Sequence, residues 1–242
     1  MKQEIWKFGS FEVPVQIFKE WRNSHRISIR KDKVIIRAPK HSLGLHGHSI
    51  KDWATEWLNE KFDADPGLIN RFKIKSFYTG FEVKTTHKEY RLNLIHESRK
   101  TSTYSVEQND VSIKLPTGLG QLEESKTIES LIHRAIGNDQ KSLVKNRIFQ
   151  LNDRYFKSQI NDIRLKFTKN NWGSCSSKGR INISTRVLFA PEKVQDYVFV
   201  HELAHLVEMN HSPAFWKLVQ AVMPNFREEE QWIRKYGDTC GL

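Results

Sequence analysis

The spacing of the hydrophobic residues changes near residue 120 of this 242-residue chain, and the change restricts the folds that the chain can adopt. Before that point, apolar and polar residues alternate in segments such as 11–17, 90–94 and 111–115, which predicts strands with one buried face. From about residue 123 to 156, apolar residues recur three and four positions apart, which predicts helices. Strands followed by helices indicate an α+β fold.

Two local signals describe the predicted strands of the first half. Residues 25–30 and 34–39 both alternate and are separated by Lys31 and Asp32, so we expect a hairpin with a tight turn. Pro14 has no backbone N–H, which favours an edge position for the strand that contains it. No internal repeat is apparent in the sequence.

A predicted helix and a predicted boundary complete the outline. Residues 49–62 place apolar side chains on one face, and Ser49 precedes them as a candidate cap, so we expect a helix there. The Pro- and Gly-containing segment 116–120 suggests a boundary between a β-rich domain over 1–120 and a mainly helical domain over 121–242. The elements expected after the boundary are helices at about 123–156 (interrupted at Gly137-Asn138), 191–209, 213–222 and 227–236, and short strands at 163–167 and 181–184.

Charge and cysteine content limit the classes of protein to be considered. The formal net charge is +11, and residues 1–100 carry +8 of it, so the N-terminal part could attract nucleic acid, nucleotides or acidic proteins, or could be a solvated basic surface. Two cysteines, Cys175 and Cys240, make a disulfide framework improbable. The first residues do not resemble a signal peptide, and no apolar run has membrane-spanning length. We therefore expect a cytoplasmic protein without a membrane partner.

The segment VHELAH at residues 200–205 carries the main chemical signal. His201 and His205 are four positions apart and therefore share one face of a helix, where both imidazoles can bind one cation. Glu202 follows the first histidine and can reach a water on that cation. This is the HExxH arrangement of zinc hydrolases, and apolar residues surround it as in a buried helix.

A third histidine follows at a suitable distance. His211 lies six residues after His205, and catalytic zinc sites have three protein ligands and one open position. Asn210 is a candidate for the left-handed residue that ends the helix, and Ser212-Pro213 resembles the start of the next one. We therefore expect a turn that brings His211 back to the metal.

The expected chemistry follows from these ligands. Three imidazoles and a water suit Zn²⁺, which lowers the pKa of the water toward about 7. Glu202 would act as the general base. Glu208 is a weaker candidate for a ligand and is better placed to orient a histidine or to face solvent.

A second segment, residues 171–176, contains small residues and leads to the predicted strand at 181–184. Such a strand edge can pair with an extended substrate, and a loop beside it can supply N–H donors to an oxyanion. Trp172, Gly173 and Ser174 are therefore candidate substrate-binding residues; the alternative is an ordinary turn with Trp172 in the core. Cys175 is interpreted as structural or redox-sensitive.

These motifs resemble the YgjP-like family of predicted zinc metallopeptidases, which is related to the SprT-like proteases. The similar segments are NWGSC, DYVFVHELAH, NHSPAFW and MP, and the match is dense over about 163–236 and weaker over about 25–62. Two positions depart from the family pattern. Asn171 replaces the usual arginine, and Ser184 replaces a common asparagine, so substrate contacts could differ.

The resemblance implies zinc on His201, His205 and His211, with Glu202 catalytic. It also implies a zincin-like, mainly helical catalytic part with a small sheet, behind a β-rich N-terminal part that is available for a substrate or partner. The histidine spacing equals that of metzincins, but Glu208 replaces their glycine, so the turn to the third histidine must be built differently.

Several functions remain open at this stage. The first is a metallopeptidase acting on peptides or proteins. The second is a zinc phosphohydrolase acting on nucleotides, since the same activated water serves both reactions. The third is a nucleic-acid-associated metalloprotein. A fourth, an interaction protein with a decayed site, conflicts with the intact Glu202. The oligomeric state is left open.

Overall fold

The computed structural model describes residues 1–9, 11–30, 33–41, 49–72 and 74–242 and divides the chain into two compact units. The first unit covers residues 1–75 and the second covers residues 76–242. The architecture is mixed α and β, with a β-rich N-terminal region, as predicted.

The first unit is a four-stranded sheet with one helix on one face. Its strands lie in the order β1-β2-β4-β3; β2 and β4 are parallel, and the outer pairs are antiparallel. The hairpin predicted from residues 25–39 is therefore confirmed, although its turn at Lys31-Asp32 lies outside the described residues. The elements are β1 (Lys2–Phe8), β2 (Phe11–Glu20), β3 (Arg26–Ile29), β4 (Val34–Pro39), α1 (Ile50–Ala64) and a short helical turn at Pro66–Arg71.

Helix α1 begins where the sequence predicts it. The Ser49 hydroxyl accepts a hydrogen bond from the Asp52 N–H, and the Asp52 carboxylate accepts one from the Ser49 N–H, which is a complete capping box. The buried face of α1 packs on one face of the sheet. This core contains Trp6, Phe8, Val13, Val15, Val34, Ile36, Ala54, Leu58, Phe62 and Phe72.

Pro14 shows how the sheet accommodates a residue without an N–H. Strand β2 lies between β1 and β4, so the predicted edge position is wrong for the strand as a whole. However, β4 joins β2 only from Val15 onward, and Pro14 pairs with Ile5 of β1 alone. The proline thus occupies the stretch of β2 that has a single strand neighbour.

The second unit combines two sheets with five helices. A four-stranded sheet has the order β5-β6-β8-β7, and a three-stranded sheet has the order β10-β11-β9. The strands are β5 (Glu82–Lys84), β6 (Glu89–Glu97), β7 (Thr103–Glu107), β8 (Asp110–Pro116), β9 (Asp162–Lys166), β10 (Gly173–Cys175) and β11 (Arg180–Ser184). The helices are α2 (Gln121–Asp139), α3 (Lys141–Leu151), α4 (Glu192–Ala204), α5 (Pro213–Val222) and α6 (Phe226–Tyr236).

The division after Lys75 differs from the expected division into 1–120 and 121–242. Strands β5 to β8 were assigned to the first domain, but their inward residues share one core with α2. Tyr90, Leu92 and Ile113 are almost fully buried in the same cluster as Ile132 and Ile136. The loop at 117–120 connects β8 to α2 within this core. Because the elements on both sides of the loop pack together, the boundary between the units lies earlier in the chain, after Lys75.

The two four-stranded sheets have the same topology, although the sequence shows no repeat. In each, a hairpin is followed by a second hairpin whose last strand pairs in parallel with the second strand of the first. A helix follows the last strand in both cases: α1 in the first unit and α2 in the second.

Two helix predictions need correction. The interruption expected at Gly137-Asn138 occurs at Gln140, between α2 and α3. Gly137 lies inside α2, where a Cβ atom would come within 2.5 Å of the Thr185 side chain, so close packing explains this glycine. Helix α4 ends at Ala204 and not near residue 209. Across the part of the chain that the structure describes, no helix combines the length and apolar character needed to cross a bilayer.

Candidate metal centre

Helix α4 carries two of the three histidines and is enclosed by the core of the second unit. His201 lies in its last turn and His205 follows at its C-terminal cap, so both imidazoles lie on one face. Strand β10 and helices α5 and α6 pack against α4. The buried apolar residues of α4 are Val194, Tyr197, Val198, Phe199, Val200, Leu203 and Ala204.

His211 reaches the same place from the turn between α4 and α5. The predicted start of α5 is confirmed, since the Ser212 hydroxyl accepts a hydrogen bond from the Phe215 N–H at 3.3 Å and Pro213 is the first helical residue. Asn210 does not have the left-handed conformation expected of it. The chain turns earlier, because the N–H groups of Leu206, Val207 and Glu208 bond to the carbonyls of Leu203 and Ala204.

The three imidazoles converge on one point. One ring nitrogen from each of His201, His205 and His211 lies within 4.8 Å of the others, and the Nε2 atoms of His201 and His211 are 3.0 Å apart. Two nitrogens on a tetrahedral zinc ion, with Zn–N bonds of about 2.0–2.1 Å, are separated by about 3.3 Å. The observed spacing therefore fits a shared cation. His211 is exposed, so this side of the group faces solvent.

A main-chain carbonyl sets the orientation of His205. Its Nδ1 atom is 3.2 Å from the Glu208 carbonyl oxygen, and a carbonyl can only accept, so the Nδ1–H must donate. The other nitrogen, Nε2, is then left for a metal. Glu208 thus orients a histidine, as the sequence suggested, but through its backbone. Its carboxylate accepts from the Asn210 N–H at 3.4 Å.

The protonation states of the buried histidines also fit a metal. Burial lowers the pKa of His201 to about 4, and the neighbouring His205 and His211 contribute to this shift. Burial likewise lowers the pKa of His205. Both side chains are therefore neutral at neutral pH, and the neutral imidazole is the form that binds metal ions.

Glu202 directly follows His201 in α4, and its side chain is buried. Its side chain is only 5% exposed, and burial raises its pKa to about 8. The Oε2 atom is buried and accepts no hydrogen bond from the described residues. Such a group is costly unless something compensates it, and a cation held by the histidines would favour the ionised carboxylate.

Gly173 lies directly against Glu202. A Cβ atom at this position would be 2.4 Å from Oε1 and 2.7 Å from Cγ of the glutamate, closer than any side chain tolerates. Residues 173–175 form strand β10, where the sequence suggested a loop, and β10 is an edge strand of its sheet. The glycine therefore allows the strand edge to pass next to the carboxylate.

The neighbours of Gly173 are placed differently. Trp172 is half-buried, and the Arg186 guanidinium carbon lies 4.6 Å from its ring centroid. Ser174 is exposed, and its hydroxyl accepts a hydrogen bond from the Asn182 side chain at 3.2 Å. Cys175 is half-buried, and burial raises the pKa of its thiol to about 11. Gly173 is in close contact with the proposed base, and the charge of Glu202 also contributes to the raised pKa of Cys175.

We expect Gly173→Ala to lower kcat by about a hundredfold, because a displacement of about 1 Å at a catalytic group has effects of this size. The added methyl must push Glu202 away from its place beside the histidines. Metal content should not change, since the three atoms nearest to the added methyl all belong to Glu202 and none to a histidine. Steady-state kinetics and metal analysis of the same preparation would measure both. A wild-type kcat would show that the position of Glu202 is not critical.

Aromatic rings on α5 and α6 hold the exposed histidine. The rings of His211 and Trp216 stack with centroids 5.7 Å apart, and Trp216 stacks on Phe226 at 5.3 Å. Phe226 in turn stacks on Tyr197 of α4, at 6.2 Å. The sequence analysis assigned no role to Trp216. The feature that could have indicated this stacking role is an aromatic residue in the first turn of the helix that follows the third histidine.

We expect Trp216→Leu to weaken zinc binding by about 10- to 100-fold, the usual effect of removing a group that orients a ligand. The smaller side chain cannot stack on His211, so the ring loses its fixed orientation. Trp216→Phe keeps a stacking face and should retain most of the affinity. Competition with a chromophoric chelator measures both variants. Equal affinities for the leucine variant and wild type would contradict the role of the stack.

Comparison with known proteins supplies the family. A model of the YgjP-like metallopeptidase domain matches residues 23–236, which is most of the chain. Among solved structures, the crystal structure of the metallopeptidase zymogen of Pyrococcus abyssi abylysin shares 28% identity over 38% of this chain and 93% of that chain, with a TM-score of 0.35. No curated protein is similar enough to match. The extent of the domain match shows that the chain belongs to the YgjP-like metallopeptidase family.

Proposed function

We propose that this protein is a zinc-dependent metallopeptidase in which His201, His205 and His211 bind the metal and Glu202 is the general base. One observation carries the proposal: a buried carboxyl with an uncompensated oxygen directly follows, on the same helix, the first of three histidines whose ring nitrogens are within 4.8 Å of one another. Membership of a metallopeptidase family supports the same reaction class.

The three histidines and Glu202 have separate roles in the proposed reaction. A zinc ion bound by the three imidazoles would supply Lewis-acid activation of a water and of the substrate carbonyl. Glu202 takes the proton from the attacking water and passes it to the nitrogen of the leaving amine. Burial brings the pKa of Glu202 close to neutral pH, which makes the carboxylate a stronger base toward the water than an exposed glutamate would be.

The edge of β10 is the proposed place for the peptide. The Ser184 N–H bonds to the Trp172 carbonyl and the Ser176 N–H bonds to the Arg180 carbonyl. Because backbone groups alternate in direction along a strand, those of Gly173 and Cys175 point away from β11. An extended substrate can add to this edge as a further strand, with its scissile bond beside Glu202.

The phosphohydrolase suggested by the net charge remains the competing function. The same activated water would attack a phosphoanhydride, so the histidines and Glu202 alone do not separate the two reactions. The edge strand and the family favour peptides, because a strand edge recognises the backbone of an extended chain.

We expect the purified protein to hold close to one zinc ion per chain and to cleave unfolded proteins or peptides. A chelator should abolish cleavage, and added zinc should restore it. Casein, a library of quenched fluorescent peptides and the nucleoside triphosphates, assayed side by side, would separate the two functions. Metal-dependent release of phosphate without peptide cleavage would overturn the peptidase proposal in favour of the phosphohydrolase.

A further inference from the structure

The residues of the candidate metal centre all belong to the second unit, and the first unit contains a groove lined by part of the basic surplus of the N-terminal part. The groove lies where β2 and β4 end and has a volume of about 660 Å³. Its lining includes Trp21, Arg22, Lys40 and His41. These residues combine a large aromatic surface with positive charge.

The indole of Trp21 is held in place while most of it faces solvent. Its side chain is 79% exposed. The Nζ atom of Lys40 lies 4.6 Å from the ring centroid, and the His41 ring lies 5.2 Å away. The Lys40 N–H donates to the Glu20 carbonyl at 2.9 Å, which continues the pairing of β2 with β4 past the ends of both strands. The backbone of Lys40 is therefore fixed next to the residue that precedes Trp21.

A second pair of the same kind lies on the same two strands. The guanidinium carbon of Arg37 lies 5.2 Å from the Phe18 ring centroid, and the two residues are direct partners across β2 and β4. Phe18 precedes Trp21 by three residues, and Arg37 precedes Lys40 by three residues. The two pairs are therefore roughly 10 Å apart at 3.3 Å per residue. Phe18 and Arg37 alternate with the core residues, which places them on the sheet face opposite α1, and they lie outside the lining of the groove.

The groove is lined by more cationic than anionic side chains, so it can bind an anion. Its acidic residue, Glu20, forms an ion pair with Arg37 and lies 3.8 Å from Arg22. The Nε atom of Arg22 is buried and has no hydrogen-bond acceptor among the described residues. The Arg22 side chain is 23% exposed, so its guanidinium can donate to a phosphate oxygen in the groove.

We propose that this groove binds single-stranded nucleic acid, with a base stacked on Trp21 and phosphates near Lys40 and Arg22. Stacking is tolerant of sequence, because every base has a planar face, and the cations follow the backbone. An acidic peptide would supply charge but no planar ring for the indole. Paired bases of a duplex are stacked within the helix. The proposal is independent of the peptidase reaction.

Fluorescence anisotropy with labelled oligonucleotides of about 12 nucleotides, a length within the range of known single-strand sites, tests this directly. Oligothymidylate and oligouridylate distinguish DNA from RNA, and a hairpin duplex and a polyglutamate peptide serve as comparison ligands. We expect Trp21→Ala to weaken binding of the single strand by about 5- to 150-fold. Lys40→Ala should reduce the slope of log affinity against log salt by about 0.7.

A matched control lies in the same unit. Lys61 stands over Trp57 on α1, at 5.5 Å, and neither residue lines the groove, so Lys61→Ala removes the same kind of contact elsewhere in the unit and should leave affinity unchanged. Because Trp21 is so exposed, its alanine variant should keep the wild-type melting temperature. Wild-type affinity in Trp21→Ala, equal losses in both lysine variants, or tighter binding of polyglutamate than of either single strand would each overturn the proposal.

Discussion

The Glu202→Gln variant should retain its zinc and lose about 10²- to 10⁴-fold in kcat on peptides, the range expected when a general base is removed. Glutamine has nearly the same shape as glutamate, so the buried site beside Gly173 can hold it without rearrangement. Glutamine cannot accept a proton at neutral pH, however. Quenched fluorescent peptides give kcat and KM, and atomic absorption gives the zinc content.

A second glutamate, on α6, provides a control for this prediction. Glu228 is exposed on α6, so Glu228→Gln makes the same chemical change away from the histidines and should have wild-type activity. A Glu202→Gln variant with full zinc content and wild-type kcat would exclude Glu202 as the base. Loss of zinc together with activity would instead point to a role in holding the metal.

The His205→Ala variant should lose its zinc and all measurable peptidase activity. Removing one of three imidazoles leaves two, and the loss should exceed the 10- to 100-fold typical of a change behind the ligands. Zinc at about 100 times its Kd should stabilise the wild-type fold by about 2.7 kcal/mol, and this stabilisation should vanish in the variant. Metal analysis and thermal unfolding with and without zinc measure both effects.

Two further variants keep this prediction testable. His205 is almost buried, so His211→Ala, at an exposed position, removes a proposed ligand with less disturbance of the core. His87 is exposed between β5 and β6, 3.5 Å from the Glu192 carboxylate and outside the converging group, and His87→Ala should keep the wild-type zinc content. If His211→Ala bound zinc as tightly as the wild-type protein, the three-histidine site would be wrong.

The convergence of the three histidines was largely predictable because it depends on short spacings. A separation of four residues places His201 and His205 on one helix face whatever the surrounding fold. The Ser212-Pro213 pair likewise defines the start of α5 locally. The capping box of Ser49 and Asp52 is equally local. Each of these features involves residues within one or two helical turns.

The features that sequence reasoning missed depend on contacts between distant segments. Gly173 contacts Glu202, which lies 29 positions later in the sequence. The residues around Gly173 do not indicate which side chain occupies the space that a Cβ atom would fill. The same holds for Gly137, whose partner is Thr185 on a different element. The boundary expected at 120 failed for a related reason, since Pro and Gly mark a turn but do not reveal what packs across it.

The shortness of β10 limits how tightly any peptide can bind through its backbone. Only Gly173 and Cys175 offer outward N–H and C=O groups, and each net hydrogen bond contributes about 0.5–1.5 kcal/mol. That total is comparable to the free energy of a millimolar complex, about 4 kcal/mol, before any entropy is lost. Short peptides should therefore saturate the enzyme poorly, and selectivity must come from side-chain pockets or from delivery of the substrate to the protein.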